Sequence, residues 1–198
     1  AGRAVVGRSS GGFGALRLAY DRPGVVSALA SHAGDALFEV SMRPMLTSAA
    51  VAIHSAGGAE AFARRLDEGG PKAGLDFDGL IVLACSAAYA PAEGPFPHCE
   101  LPFDERGHVT AGWDRWLAHD PLVRMKGSQL GRELRLAFVD AGESDEHGLQ
   151  FAAQALAEGL EATGAKVHYE AHVGGHRGTS YRYDRSLPLV VAALERAQ

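Results

Sequence analysis

Residues 4–21 read AVVGRSSGGFGALRLAYD, and this stretch decides which fold the sequence predicts. It begins with a short apolar run, continues through a segment rich in glycine and serine, and ends with apolar residues at helical spacing. The pair Pro23-Gly24 follows and is typical of the end of a helix. This order predicts a strand, a tight turn and a helix, which together form one unit of a parallel α/β sheet.

The same alternation continues in other parts of the chain. Further strands are predicted from apolar runs over 25–31, 134–140 and 166–173. Helical spacing over 146–162 and 184–196 predicts the helices that follow the last two strands. We therefore predict an α/β fold with a mostly parallel sheet and helices on both faces, in a single domain.

Residues 39–120 differ from this pattern. They contain several stretches with helical spacing, and four prolines between residues 91 and 102 limit regular structure there. We interpret this segment as a helical, cap-like insertion within the α/β domain of residues 1–198.

The composition excludes several classes of protein. With 46% hydrophobic residues the chain of 198 residues can bury a core, and no apolar run approaches the ~18 residues that span a bilayer. A net charge of −5 without a basic stretch predicts no nucleic-acid partner. Cys85 and Cys99 fit no disulfide framework, metal site or redox motif, which favours a reducing compartment such as the cytoplasm, or no redox role.

The segment Gly7-Arg8-Ser9-Ser10-Gly11 is the strongest chemical signal in the sequence. A nucleophilic serine works best on a sharp turn between strand and helix, where crowding favours glycine two residues before and after it. Ser10 is a poorer candidate because Arg8 lies two residues before it. The alternative is a glycine-rich turn that binds phosphate, but the lysine of a phosphate-binding loop is missing. We predict Ser9 as the nucleophile.

A serine nucleophile needs a base, and the base needs an orienting acid. Asp145 follows one predicted strand and His176 the next, which is the order, acid before histidine, that this type of fold uses after such a serine turn. Two alternatives concern the acid, because Asp145 could simply cap the helix that follows it, and Asp140 lies nearer to the strand end. A zinc site of His168, His172 and His176 is disfavoured, because their spacing suits a helix and the segment is predicted to be a strand.

Six stretches of the sequence carry a resemblance to a known family: 5–16, 31–35, 116–121, 140–146, 175–176 and 181–188. Together they resemble the putative-esterase family of α/β-hydrolases, which contains esterase D-like, enterochelin esterase-like and mycolyl-transferring proteins. The resemblance covers nearly the whole chain and keeps the order of the motifs. It implies that Ser9 is the nucleophile, His176 the base and Asp145 the orienting acid.

The resemblance also contains one departure. Members of the family have several strands before the serine turn, and one donor of the oxyanion hole comes from a loop among them. Here only the backbone N–H of Ser10 matches an oxyanion donor. We therefore expect a fragment that lacks its N-terminal strands, with an exposed apolar strand at Ala4-Val5-Val6 and with weak activity or poor solubility on its own.

The sequence therefore predicts a serine hydrolase that cleaves a carboxylic ester of a small molecule through an acyl-enzyme, without a metal or an organic cofactor. Two alternatives stay open: an acyltransferase of the same fold, and a non-catalytic binding module or inactive fragment. Neither the oligomeric state nor the substrate is indicated. The candidate residues of the substrate pocket are Phe38, Met42, Tyr89, Trp113 and Trp116.

Overall fold

A computed structural model describes residues 2–70, 74–128 and 130–195 of the chain. The strands are β1 (Ala4–Arg8), β2 (Ala28–His32), β3 (Leu136–Gly142) and β4 (Val167–His172). The helices are α1 (Ser10–Asp21), α2 (Phe38–Ser41), α3 (Met45–Ser55), α4 (Ala59–Asp67), α5 (Leu75–Tyr89), α6 (Ala111–Leu117), α7 (Pro121–Arg124), α8 (Leu130–Glu133), α9 (Leu149–Ala162) and α10 (Tyr183–Glu195), with a 3-10 turn at Ser180–Arg182 before the last.

The four described strands form one parallel sheet in the order β1-β2-β3-β4. Every residue of β2 and β3 is buried, as expected for central strands that carry helices on both faces. Alternate residues of these strands enter two different cores. Leu29 and Val139 pack on the side of α1 and α9, whereas Ala30 and Phe138 pack on the side of α10. The predicted α/β fold with a parallel sheet is confirmed.

The chain divides into two compact units. The first comprises the described residues of Ala1–Ser41 and Asp120–Gln198, and it contains the sheet. The second comprises the described residues of Met42–His119 and contains helices α3 to α6. The interpretation of residues 39–120 as a cap-like insertion stays a prediction.

Inside the second unit, α3 packs against α5 and α4. Tyr89 at the end of α5 lies edge-on to Trp116 of α6, with ring centroids 5.5 Å apart, and its ring stacks on that of His119. Along the described part of the chain, no helix combines the length and the apolarity needed to cross a membrane.

Candidate active site

Ser9 lies in the turn between β1 and α1, with φ 55° and ψ −126°. Residues other than glycine rarely adopt such a positive φ, and they do so mostly where surrounding contacts enforce it. One such contact is the hydrogen bond of 2.9 Å that the Ser9 N–H donates to the carbonyl of His32 at the end of β2. Ser9 precedes the first residue of α1, yet its side chain makes no capping hydrogen bond, so its Oγ is available for another partner.

The glycines of the turn differ in how much room surrounds them. A Cβ at Gly7 would lie 2.1 Å from the carbonyl oxygen of Gly11, so only glycine fits there. A Cβ at Gly11 would meet no atom within 4 Å, and the prediction that crowding requires glycine at this position was wrong. The crowded helical residue is Gly12, whose Cβ would come within 2.8 Å of the Gly34 Cα. The helix therefore approaches the loop after β2 through Gly12.

The structure brings Ser9, His176 and Asp145 together. The Nε2 atom of His176 lies 3.0 Å from the Oγ of Ser9, and its Nδ1 atom lies 2.9 Å from the Oδ2 of Asp145. Because an ionised carboxylate only accepts hydrogen bonds, Nδ1 carries the proton and Nε2 accepts from the Ser9 hydroxyl. This is the arrangement in which an imidazole can remove the proton of a serine.

Asp145 lies in the turn between β3 and α9 and is 4% exposed. Burial alone would raise the pKa of Asp145, but hydrogen bonds from the His176 ring and from the backbone N–H of His147 hold it below its ordinary value. The carboxylate is therefore ionised at neutral pH. Asp145 does not cap α9, because the residue that precedes this helix is Gly148.

Asp140, the alternative acid, belongs to a second chain of hydrogen bonds. Its Oδ1 lies 2.8 Å from the Nδ1 of His32, and the Nε2 of His32 lies 2.8 Å from the Oγ of Ser186 in α10. Its other oxygen accepts a hydrogen bond of 2.7 Å from the Nε of Arg182. Asp140 therefore bonds to His32 and Arg182, while the ring of His176 bonds to Asp145.

This second serine, histidine and aspartate set is closed to substrates. Ser186 is 0% exposed, His32 2% and Asp140 1%. The acyl carbon of a substrate must be able to reach the nucleophile. Ser186 is out of reach because it lies on the buried face of α10. We conclude that the second set connects β2, β3 and α10, whereas Ser9 and His176 are only partly buried.

Two charged side chains that the sequence did not single out hold the backbone of His176. The Nη1 of Arg8 donates a hydrogen bond of 2.8 Å to the His176 carbonyl, and the Oε2 of Glu146 accepts one of 2.9 Å from the His176 N–H. The ring of His147 lies edge-on to the ring of His176 at 4.9 Å. Their positions in the sequence could have pointed to these two residues, because Arg8 directly precedes Ser9 and Glu146 directly follows Asp145.

Asp35, in the loop after β2, is a further carboxyl group near His176 and Asp145. Burial raises its pKa to about 6, while the neighbouring His176 and His147 act in the opposite direction and Asp145 adds to the rise. In the sequence, Asp35 stands out only as part of the stretch 31–35 that carries the family resemblance. The group changes its charge within a pH range in which a hydrolase is ordinarily assayed.

Comparison with known proteins identifies the family. The profile of the family described as "Putative esterase" matches residues 1–188. The chain belongs to this esterase family. No significant match was found among curated proteins.

Two solved structures resemble this member of the esterase family. A ferulic acid esterase is 14% identical with a TM-score of 0.51, and the match covers 96% of this chain and 52% of that protein. The acylaminoacyl peptidase of Pyrococcus horikoshii is also 14% identical with a TM-score of 0.51, and the match covers 98% of this chain and 24% of that one. The chain thus spans about half and about a quarter of these proteins. At this identity the likeness establishes the α/β-hydrolase fold alone.

The other residues that the sequence predicted for the site of this esterase-family chain are Ser10, the histidines of the zinc alternative and the five pocket residues. The N–H of Ser10 belongs to the first residue of α1, where helical geometry provides no acceptor within the helix. In the zinc alternative, His168 bonds to Glu170 and His176 bonds to Ser9, so the histidines have separate partners. The five candidate pocket residues are all buried, and their role stays a prediction: Phe38 in the first unit, and Met42, Tyr89, Trp113 and Trp116 in the second.

Proposed function

We propose that the protein is a serine hydrolase that cleaves a carboxylic ester through a triad of Ser9, His176 and Asp145. One observation carries this proposal. The hydroxyl of Ser9, on a strained and partly exposed turn, is hydrogen-bonded to an imidazole whose other nitrogen is bonded to a buried carboxylate. A hydroxyl with a base in reach and an oriented base is the arrangement needed for acyl transfer to serine.

The reaction begins when the Ser9 oxygen attacks the acyl carbon and its proton moves to the Nε2 of His176. The tetrahedral intermediate collapses as the imidazolium gives this proton to the leaving alcohol, and the acyl group remains on Ser9. Water then attacks the acyl-enzyme with His176 as the base, which releases the acid and restores the serine. The backbone N–H of Ser10 donates to the oxyanion, aided by the positive end of α1.

Asp145 has two roles in this scheme. Its hydrogen bond keeps the proton on Nδ1, so that Nε2 faces Ser9 as a base. Its negative charge stabilises the imidazolium that forms during each step. Because its pKa lies below the ordinary value, Asp145 remains ionised down to mildly acidic pH and can hold the imidazole there.

Hydrolysis of short-chain p-nitrophenyl esters tests the proposal. We expect Ser9→Ala and His176→Gln to lower kcat by about 10⁴-fold or more, and Asp145→Asn by about 10³-fold to 10⁴-fold. Ser144→Ala is the control, because this exposed serine lies beside Asp145 and outside the triad. Hydrolysis by the wild type that survives Ser9→Ala unchanged would contradict the proposal. So would a folded wild type that cleaves no ester in a broad panel.

A further inference from the structure

His176 depends on a loop that has little stiffness of its own. It lies between β4 and the 3-10 turn, in the sequence Gly174-Gly175-His176-Arg177-Gly178. Gly174 has φ +123° and Gly178 has φ +72°, conformations that glycine adopts without strain. Glycines on both sides make the loop costly to order, so the position of the imidazole must be fixed by contacts from outside the loop.

Both peptide groups of His176 receive such a contact. The Glu146 carboxylate accepts from its N–H at 2.9 Å, and the Arg8 guanidinium donates to its carbonyl at 2.8 Å. Gly175 allows the first of these, because a Cβ there would lie 2.8 Å from the Oε2 of Glu146. The Cα of His176 is thus held from two sides by groups of opposite charge.

The two contacts come from the same two turns that bond to the imidazole. At the turn after β1, Ser9 bonds to Nε2 and Arg8 bonds to the carbonyl of His176. At the turn after β3, Asp145 bonds to Nδ1 and Glu146 bonds to the N–H of His176. Each turn therefore bonds to His176 once through its ring and once through its backbone. Paired contacts of this kind limit both displacement of the residue and rotation of its ring.

We propose that Arg8 and Glu146 are positioning residues, which hold the His176 backbone so that its imidazole stays between Ser9 and Asp145. This inference deepens the proposed hydrolase function and rests on it. Neither residue takes part in a proton transfer. Their effect reaches the reaction through the distance between Nε2 and the Ser9 hydroxyl, and misplacement of a reacting group by about 1 Å can cost about 100-fold in rate.

The charges of the two residues suit this role. The hydrogen bond from the His176 N–H is the main cause that holds the pKa of Glu146 below its ordinary value, so the side chain is an acceptor throughout the working pH range. Glu146 is exposed, and exposed charge contacts contribute little to folding. We therefore expect loss of the Glu146 contact to change kcat while the melting temperature stays nearly constant.

Kinetics of single and double variants form the first part of the test. Arg8→Met and Glu146→Ala are each expected to lower kcat about 10-fold with KM within a factor of two, and the double variant to lower it further. Glu146→Gln should recover most of kcat, because its amide oxygen accepts the same hydrogen bond. The matched controls are Arg177→Met and Glu143→Ala. The first removes an exposed charge from the loop of His176, and the second removes one from the turn that carries Glu146.

The second part of the test does not need turnover. The Nδ1 proton of His176, followed by NMR in the protein without substrate, should exchange with water faster in Arg8→Met and Glu146→Ala than in the wild type and in both controls. Unchanged kcat together with unchanged exchange would overturn the positioning role while leaving the hydrolase proposal intact. A wild type without esterase activity would overturn the hydrolase proposal, and the NMR comparison would then still decide whether Arg8 and Glu146 position the ring.

Discussion

Ser9 shows how single residues set up the site. Its positive φ places Oγ towards His176, and the conformation is maintained by the bond from its N–H to His32 and by the close approach of Gly7 to the Gly11 carbonyl. The sequence motif predicted the turn but assigned the same reason to both glycines. The structure shows that the two positions differ. A Cβ at Gly7 would overlap the carbonyl of Gly11, whereas a Cβ at Gly11 would meet open space.

The first prediction compares these two glycines. Gly7→Ala should destabilise the fold by about 3 kcal/mol, because the added methyl group overlaps backbone that cannot move without disturbing the turn. Gly11→Ala should change the free energy of unfolding by less than about 1 kcal/mol, since alanine also favours the helix. Urea unfolding of both variants and the wild type measures the difference. Equal destabilisation by the two substitutions would contradict this account of the turn.

The second prediction concerns Asp35, whose pKa rises from 3.8 to about 6 mainly through burial. Folded Asp35 retains a proton that it loses in the unfolded chain, so the contribution of Asp35 to the free energy of unfolding falls as pH rises from about 4 to about 6 and is constant above. Asp35→Asn should remove this loss. The free energy of unfolding of the variant minus that of the wild type should therefore be about 2 kcal/mol higher at pH 7 than at pH 4. Urea titrations at several pH values measure it, and a difference independent of pH would refute it.

At the scale of elements, the buried chain of Ser186, His32 and Asp140 joins α10 to the two central strands. Arg182 completes it by pairing with Asp140, and it also bonds to Glu170 of β4. A buried carboxylate is costly unless it is paired and hydrogen-bonded, so Arg182 is required by the presence of Asp140. The network thus ties α10 and the 3-10 turn before it to β2, β3 and β4.

The third prediction contrasts two arginines of this network. The Arg182 side chain is 7% exposed, and Arg182→Met should cost about 3 kcal/mol of stability because it leaves Asp140 without its cation. The Arg185 side chain is 60% exposed and bonds only to Glu170 among the interactions described, so Arg185→Met should cost less than about 1 kcal/mol. Chemical unfolding compares them. Similar losses for both variants would show that burial of the pair does not determine its importance.

The sequence predicted most long elements and few of the short ones. Apolar runs located the four strands within a few residues, since burial on both faces leaves a continuous hydrophobic pattern. The four-residue helix α7 escaped prediction, although Asp120 accepts from the Leu122 N–H and Pro121 occupies its first position. Such a short segment lacks a periodic pattern, and its capping residue Asp120 also accepts hydrogen bonds from the backbone N–H groups of Leu37 and Phe38 at the start of α2.

At the scale of the whole molecule, parallel strand topology assembles the candidate site. The carboxyl ends of β1, β3 and β4 lie at one edge of the sheet, and these ends lead into the turns that carry Ser9, Asp145 and His176. Order along the chain and the strand pattern sufficed to nominate all three residues. The contacts of Arg8 and Glu146 could not be predicted, because they depend on the distances between loops that are far apart in sequence.

The central claim is that Ser9 is a nucleophile activated by His176. Its most direct test is reaction of the folded protein with a fluorophosphonate, followed by mass spectrometry of the digested adduct. We predict one adduct per chain on Ser9, lost in Ser9→Ala, much slower in His176→Gln, and absent after heat unfolding. A folded wild type that forms no adduct, or one whose adduct lies on Ser186 or another serine, would contradict the claim.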